Sequence, residues 1–572
     1  MSTHARPLAV WLAAAPDWQL TELFRARGIS AEAPWSDFFD AAEALLDASS
    51  IERMLPQLTA REAHALRLAA TGDDAGAASD DLISLALLRA DGTPPAPVTE
   101  SVLARPLPDP IASSLDPAAA DDDAAHAAER AFTSVATLAD VLLITRDAPL
   151  ALLTTGALSA GERRRLNEIG VSADIIDDLL VLAAESGLTR AAARRVRLTE
   201  AGEAWLRLPA SMRWAHLANS FRDALPRGLR TPSGGWPPMS SWPSQHPWDP
   251  AWAERSEQLR ERARLLGLVT DGGAEPPWAT ALREGGTADA AELQRLLPTE
   301  VDRIFLQNDL SAIAPGPLEP ALDVRLRGIA ARESAAQASM YRFTAESVAH
   351  ALALGETAPE ILDFLGRISL TGIPQPLEYL VMQTAQRHGL VRVSTDEDGD
   401  GARVASSDRT LLDAMSVDQG LRPLAFARDG DALTSRVSRD TVYWSLTDAR
   451  YPATIVDSEG RPHVIDRHPA PPEEPSEPLS YEDLIARLRD HQGPDADAAW
   501  LDRELEAAVR AKAVLAIEIG MPDGSTRELI LEASGLGGGR LRGRDRAADV
   551  ERTLPVRSIR SARLVEPAGD DS

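Results

Sequence analysis

No cysteine occurs in the 572 residues. This excludes a disulfide framework, a thiol nucleophile and a Cys-based zinc site. Lysine is nearly as scarce: of 59 basic residues only Lys512 is a lysine. A nucleotide-driven motor holds its terminal phosphates with a glycine-rich loop ending in Gly-Lys-Ser/Thr. Lys512 stands in Arg510-Ala511-Lys512-Ala513-Val514, with no glycine before it and no hydroxyl after it. An Asp-Glu-Ala-His-like metal box is also missing, so the chain reads as a non-enzyme without a cofactor. His463, Asp466 and His468 lack a second cluster and are not read as a metal site. Apolar runs stay short of the roughly 18 residues that suggest a membrane span, and no secretory leader is visible. The expectation is a soluble, cytoplasmic protein with no membrane partner.

What the sequence does contain is acid. The formal net charge is −28, and 44% of residues are hydrophobic. Such a surface repels nucleic acid in general, so any site for it has to be a local basic patch. Length alone suggests three to five domains. The fold class expected is α+β, predominantly α and multidomain, with a winged-helix-like N-terminal half, a small α/β central module and a small C-terminal β-barrel-like domain.

In chain order, residues 1–105 read as helical, with Leu8, Trp11 and Leu12 on one apolar face and Phe38, Phe39, Leu45 and Leu46 on another. The Pro/Asp/Ala stretch from Pro106 to about Ala128 reads as a loop or linker. Residues 129–225 look like a winged helix. A helix from Ala160 to Glu168 and a second from about Ser172 to Ser186 precede a wing strand, Val196 to Thr199. A winged helix reads DNA with its second helix. Here that helix carries Asp174, Asp177, Asp178 and Glu185, which face phosphates badly. Arg190, Arg194 and Arg195 of the wing, with Arg197, suit phosphates better. The alternative is a winged helix that docks protein or is purely structural. Within 226–300, Trp236, Trp242, Trp248 and Trp252 stand among prolines and glycines. They either stack on unpaired bases or pin a loop across helices.

Residues 301–395 form the organising module. Arg303–Asp309 reads as a strand, Leu318 opens a helix, and Met340–Phe343 is a further strand. Thr344 and Thr357 are helix N-caps, the latter with Glu360 as a capping box. Arg387 and His388 suit a helix C-terminus, and Gly389 the left-handed position beyond it. Tyr341-Arg342-Phe343-Thr344, Ala358-Pro359-Glu360-Ile361-Leu362, Ile373 to Leu380 and Arg387-His388-Gly389 occur in an order that resembles the N-terminal, damage-recognition-like domain of XPB-type DNA helicases. More closely, it resembles actinobacterial helicase-associated proteins that carry this domain without an obvious motor. The resemblance implies DNA, single-stranded or forked, and a separate helicase or nuclease as partner. Residues 396–468 read as an α/β extension, with Leu424–Ala427 as a strand and a capped helix from Ser438. Pro469 to Pro478 is a Pro/Glu linker.

The last domain spans 479–567. Two helices precede an alternating run from Val514, a turn at Asp523-Gly524-Ser525 and a return strand. The tail resembles the closing strands of WYL-type domains, small Sm-like barrels of bacterial regulators, though the name-giving Trp-Tyr-Leu is missing. Arg540, Arg542, Arg544, Arg546, Arg552, Arg557 and Arg560, with Arg563, form the strongest basic patch of this acidic chain. Guanidinium forks match phosphate oxygens. Two functions follow: a non-catalytic DNA-binding accessory protein in helicase or DNA-repair processes, or a WYL-type regulator sensing a nucleotide or nucleic-acid ligand.

Overall fold

A computed structural model describes residues 5–108, 115–168, 170–335, 338–396, 401–457, 459–465, 467–471, 479–492, 496–521 and 525–564. Asp466, most of the Pro/Glu linker and the turn residues Asp523 and Gly524 lie outside them. Among these described residues the protein is α+β, with helices throughout and four small sheets, none closed into a barrel.

The N-terminal layer is a set of short helices started by local caps. Asp37 accepts from the Phe39 and Asp40 amides at 3.0 and 2.9 Å, and Thr59 with Glu62 forms a capping box. Leu12, Leu20, Phe24 and Phe38 bury their apolar faces together, and Tyr481, Leu484, Ile485, Leu488 and Trp500 complete this core. The Tyr481 hydroxyl donates to the Ile29 carbonyl at 2.8 Å, and Arg503 pairs with Asp40 at 2.7 Å. The span expected to form one C-terminal domain, 479–567, is therefore divided. Its helix Glu482–Asp490 closes the N-terminal layer, while Leu501, Leu505 and Ala508 turn to the core of the last sheet and Arg503 still reaches back to Asp40.

The central block is built on the helix Asp121–Asp147. This corrects the loop expected up to Ala128. Ala124, Ala127, Ala128 and Ala131 are buried, alanine is the strongest helix former, and Asp121 to Asp123 suit the positive N-terminal end of the helix dipole. Short side chains also admit backbone: a Cβ on Gly267 would stand 2.4 Å from the Ala127 carbonyl oxygen. Against this helix pack the helices Ala160–Glu168 and Ile176–Glu185 and a three-stranded sheet in the order Leu150–Ala151, Arg195–Leu198, Thr189–Ala192. The tryptophan-rich segment covers the block. Trp236, Trp242, Trp248 and Trp252 are all buried. Their indoles donate inward, Trp252 to the Trp242 carbonyl at 2.7 Å and Trp248 to the Pro106 carbonyl at 3.1 Å. They pin a loop and offer no face to a base.

Residues 301–456 hold two cores. The first lies under an antiparallel sheet in the order Phe305–Leu306, Ser311–Ala314, Ser339–Arg342, Ala331–Ala335. Helices Pro320–Ile329, Ala345–Ala353, Ala358–Ile368 and Gln375–Arg387 enclose it. The single long strand expected over 303–309 is thus a short hairpin. Asp309, whose carboxylate takes the Ser311 amide at 3.1 Å, makes the turn. The second core lies under a sheet in the order Ala427–Asp429, Ala432–Ser435, Ala402–Ser406, Val391–Thr395, Ala453–Ile455. A boundary at 395 would run through this sheet. The strand expected over Leu424–Ala427 starts only at Ala427: Leu424 ends a 3-10 turn and Ala425 is left-handed at φ 47°. Ser438 precedes the helix Arg439–Asp448 but makes no side-chain cap.

The C-terminal sheet is antiparallel in the order Val550–Pro555, Arg540–Asp545, Thr526–Gly537, Val514–Gly520, Ile559–Leu564. Among the described residues no ladder joins Val550–Pro555 to Ile559–Leu564, so the barrel expected here is an open sheet.

Candidate functional site

Strand alternation sorts the C-terminal arginines. Leu541, Gly543 and Asp545 point inward, while Arg540, Arg542 and Arg544 are exposed. Opposite Arg544 stand Glu532 on one side and Glu551 on the other; Arg544 also pairs with Asp549 at 2.6 Å. Arg546 pairs with Glu532 at 3.3 Å. Arg552 turns to the buried Asp545 at 2.5 Å and, by that hydrogen bond, holds its carboxyl below the usual carboxylate range. Arg544, Arg546 and Arg552 therefore serve the sheet's own carboxylates. Arg542 stands between Gly535 and Thr553, and Arg540 between Gly537 and Pro555. Neither has a carboxylate opposite it. The turn before them, Gly538-Gly539, is left-handed at both residues (φ 60° and 70°), the conformation of a two-residue hairpin. Arg557 is exposed in the 3-10 turn Val556–Ser558. Arg560 lies on the far edge strand, its guanidinium against Gly520. The seven arginines thus do not form one uniform patch: on the ladder, Arg540 and Arg542 are its open part.

The wing is short. Thr189–Ala192 and Arg195–Leu198 are joined by Ala193-Arg194, both left-handed at φ 49° and 58°. Non-glycine residues held this way cost on the order of 1 kcal/mol or more each, and here the strain exposes Arg194 at the tip. Arg195 is exposed, with its guanidinium 3.4 Å from the Pro149 carbonyl. Arg190 is half-buried and stands opposite Arg197 in the ladder. The helix Ile176–Glu185 does not fit a groove-reading role. Ile176, Leu179, Leu182 and Ala183 are buried, and helices Ala210–Ala224 and Trp252–Leu265 pack against it. Arg163 holds Asp177 at 2.8 Å and Arg262 holds Asp178 at 3.0 Å.

A cleft of about 1310 Å³ opens between the end of the helix Asp121–Asp147, the helices Pro320–Ile329 and Ala345–Ala353, and the stretch around Trp444 to His468. Its carboxylates are each held by an arginine: Asp147 by Arg146 at 3.2 Å, Glu203 by Arg207 at 3.4 Å, Glu346 by Arg450 at 3.5 Å, Glu356 by Arg325 at 2.8 Å and Asp448 by Arg467 at 2.7 Å. Arg387 lines the same cleft with no ion-pair partner among the described residues. His350 and His388 line it too, and burial lowers the pKa of His388. Sequence reading placed Arg387 and His388 at a helix end but missed the cleft, because its walls come from residues more than 300 positions apart and no local spacing marks them. No group of His, Cys, Asp and Glu fit to hold a metal occurs among the described residues.

Residues 304–429 match the helicase conserved C-terminal domain family. The chain therefore carries a helicase-related domain. The match ends with the strand Ala427–Asp429, while the sheet it enters continues through Ala432–Ser435 and Ala453–Ile455. No curated protein matches the chain. No described helix is long and apolar enough to cross a membrane.

Proposed function

We propose that this chain is a non-catalytic DNA-binding accessory protein that works beside a separate helicase or nuclease in DNA repair. The helicase-related domain over residues 304–429 carries the reading. The order of motifs from Tyr341 to Gly389 adds the finer likeness to the N-terminal domain of XPB-type helicases. The helices and sheet of 121–198 support a winged-helix reading in which the wing, rather than the covered helix Ile176–Glu185, meets DNA. Lys512 argues against a motor. It lies between the helix Ala496–Ala511 and the strand Val514–Gly520, left-handed at φ 50°, with alanine on either side of it and not glycine.

Mobility shifts on single-stranded, duplex and forked DNA test this. Binding that favours forks whatever their sequence, with no ATP turnover, is expected. Tight binding to one duplex sequence points instead to a regulator whose C-terminal sheet senses a ligand. DNA-stimulated ATP hydrolysis lost in K512A overturns the non-catalytic half.

A further inference from the structure

The cleft calls for an occupant that the DNA reading does not supply. Its 1310 Å³ exceeds the roughly 300–1,000 Å³ of small-molecule pockets. Two helices turn small side chains into it. Ala345, Ala349 and Ala353 repeat at every fourth position of one, and Ala321 and Gly328 line the other. Side chains this short let a third helix approach to the 8–10 Å between axes that helix packing requires. Leu354 and Val464, on its rim, are 48% and 50% exposed. A helix about 10 Å across fills roughly 120 Å³ per residue at 1.5 Å rise. The cleft therefore takes on the order of ten residues, about three turns.

Charge decides which kind of helix. Five arginines already face five carboxylates, so the cleft offers Arg387 and nearby histidines rather than a run of free cations. A nucleic-acid strand of matching length would bring several phosphates against those carboxylates. It would also lack stacking platforms: Arg467 lies over the Trp444 ring, 5.4 Å from its centre, Tyr443 packs on the same ring, and the Tyr451 hydroxyl is bound to Asp418 at 3.0 Å. A helix with an apolar face and one or two carboxylates matches the walls, the rim and Arg387, the lining arginine without an ion-pair partner among the described residues. We propose that this cleft is the docking groove for a short, acidic, amphipathic helix of a partner protein, in the helix-in-groove mode.

The test uses the full chain and two fluorescein-labelled peptides of about three helical turns. Each carries leucine at helical i, i+3, i+4 and i+7 spacing, one with glutamate between, the other with lysine. The glutamate peptide should bind at least tenfold more tightly by anisotropy. A349W, which fills the groove, should abolish that binding, and R387E should reverse the preference. Ala349 is half-buried, so the melting temperature of A349W is measured alongside; Arg387 is exposed, and R387E decides the matter if A349W fails to fold. Equal affinity for the two peptides, or binding indifferent to R387E, overturns the proposal. So does displacement of the peptide by an oligothymidylate of matched length, which would make the cleft a nucleic-acid channel. Self-association of the chain that R387E disrupts would make the occupant a second copy and overturn it equally.

Discussion

Arg540 and Arg542 differ from Arg544 and Arg546 in what stands across the ladder. Glycine, threonine and proline leave the first two open, and Glu532, Glu551 and Asp549 neutralise the others. If DNA is bound here, each phosphate contact contributes about −0.9 to the slope of log affinity against log salt on duplex. R540Q/R542Q should then shrink that slope by about two units and leave the melting temperature unchanged. R544Q/R546Q should barely move the slope. Equal effects in both double variants would mean that the local carboxylates do not shield their partners. From the sequence alone the arginines were visible but the distinction was not. It depends on register, and register is set by the Gly538-Gly539 turn and by an irregularity between Ala533 and Gly535.

At the scale of elements, signals written within a few residues were legible. The Thr344 and Thr357 caps, Gly389 beyond its helix, and the antiparallel return of Thr526–Gly537 along Val514–Gly520 all follow from local chemistry. Elements held by distant partners were not. The helix Asp121–Asp147 is the clearest case, since its alanines gain meaning only once Gly267 and the tryptophan loop cover them. The same helix fixes the helicase-related domain to the central block. Asp140 pairs with Arg327 at 2.6 Å and also with Arg332. Asp323 on the neighbouring helix accepts the buried Tyr341 hydroxyl at 2.5 Å, and burial together with that carboxylate raises the phenol pKa. Removing one member of such a buried cluster strands the other charges, at a cost of roughly 3–5 kcal/mol. With about a fifth of each side chain still exposed, D140A should sit at the lower end. Denaturant unfolding measures it, and a loss under about 0.5 kcal/mol, the size of an ordinary surface substitution, would show that the seam does not depend on this cluster.

The molecule as a whole is a stack of layers joined at seams, and one seam holds an imidazole. His246 is buried, its ring 4.2 Å from that of Trp252. It lies where the Ala60 amide donates to the Gln245 carbonyl at 2.8 Å and Arg227 meets Glu62. Burial lowers its pKa, and Arg255 lowers it further against the opposing pull of Asp249 and Glu62. In the unfolded chain the ring takes up a proton near pH 6.5. As pH falls through that value, the unfolded state gains a proton that the folded state resists, so stability drops. Above about pH 7.5 the contribution is flat. Urea midpoints should fall between pH 8 and pH 5.5, and H246Q should lose part of that fall. An identical pH profile in H246Q would assign the acid sensitivity elsewhere, with His388 the next ring to replace.

The return of Tyr481 to Trp500 onto the first helices has a consequence for synthesis. Phe24 and Phe38 meet their last partners roughly 450 residues later, which at about 5–20 residues per second is on the order of 20–90 seconds of translation. Through that interval this layer carries an unfinished apolar surface on the ribosome. That layer is thus sealed only after the central block and the helicase-related domain have been made, and it is where a holding chaperone would find its binding surface.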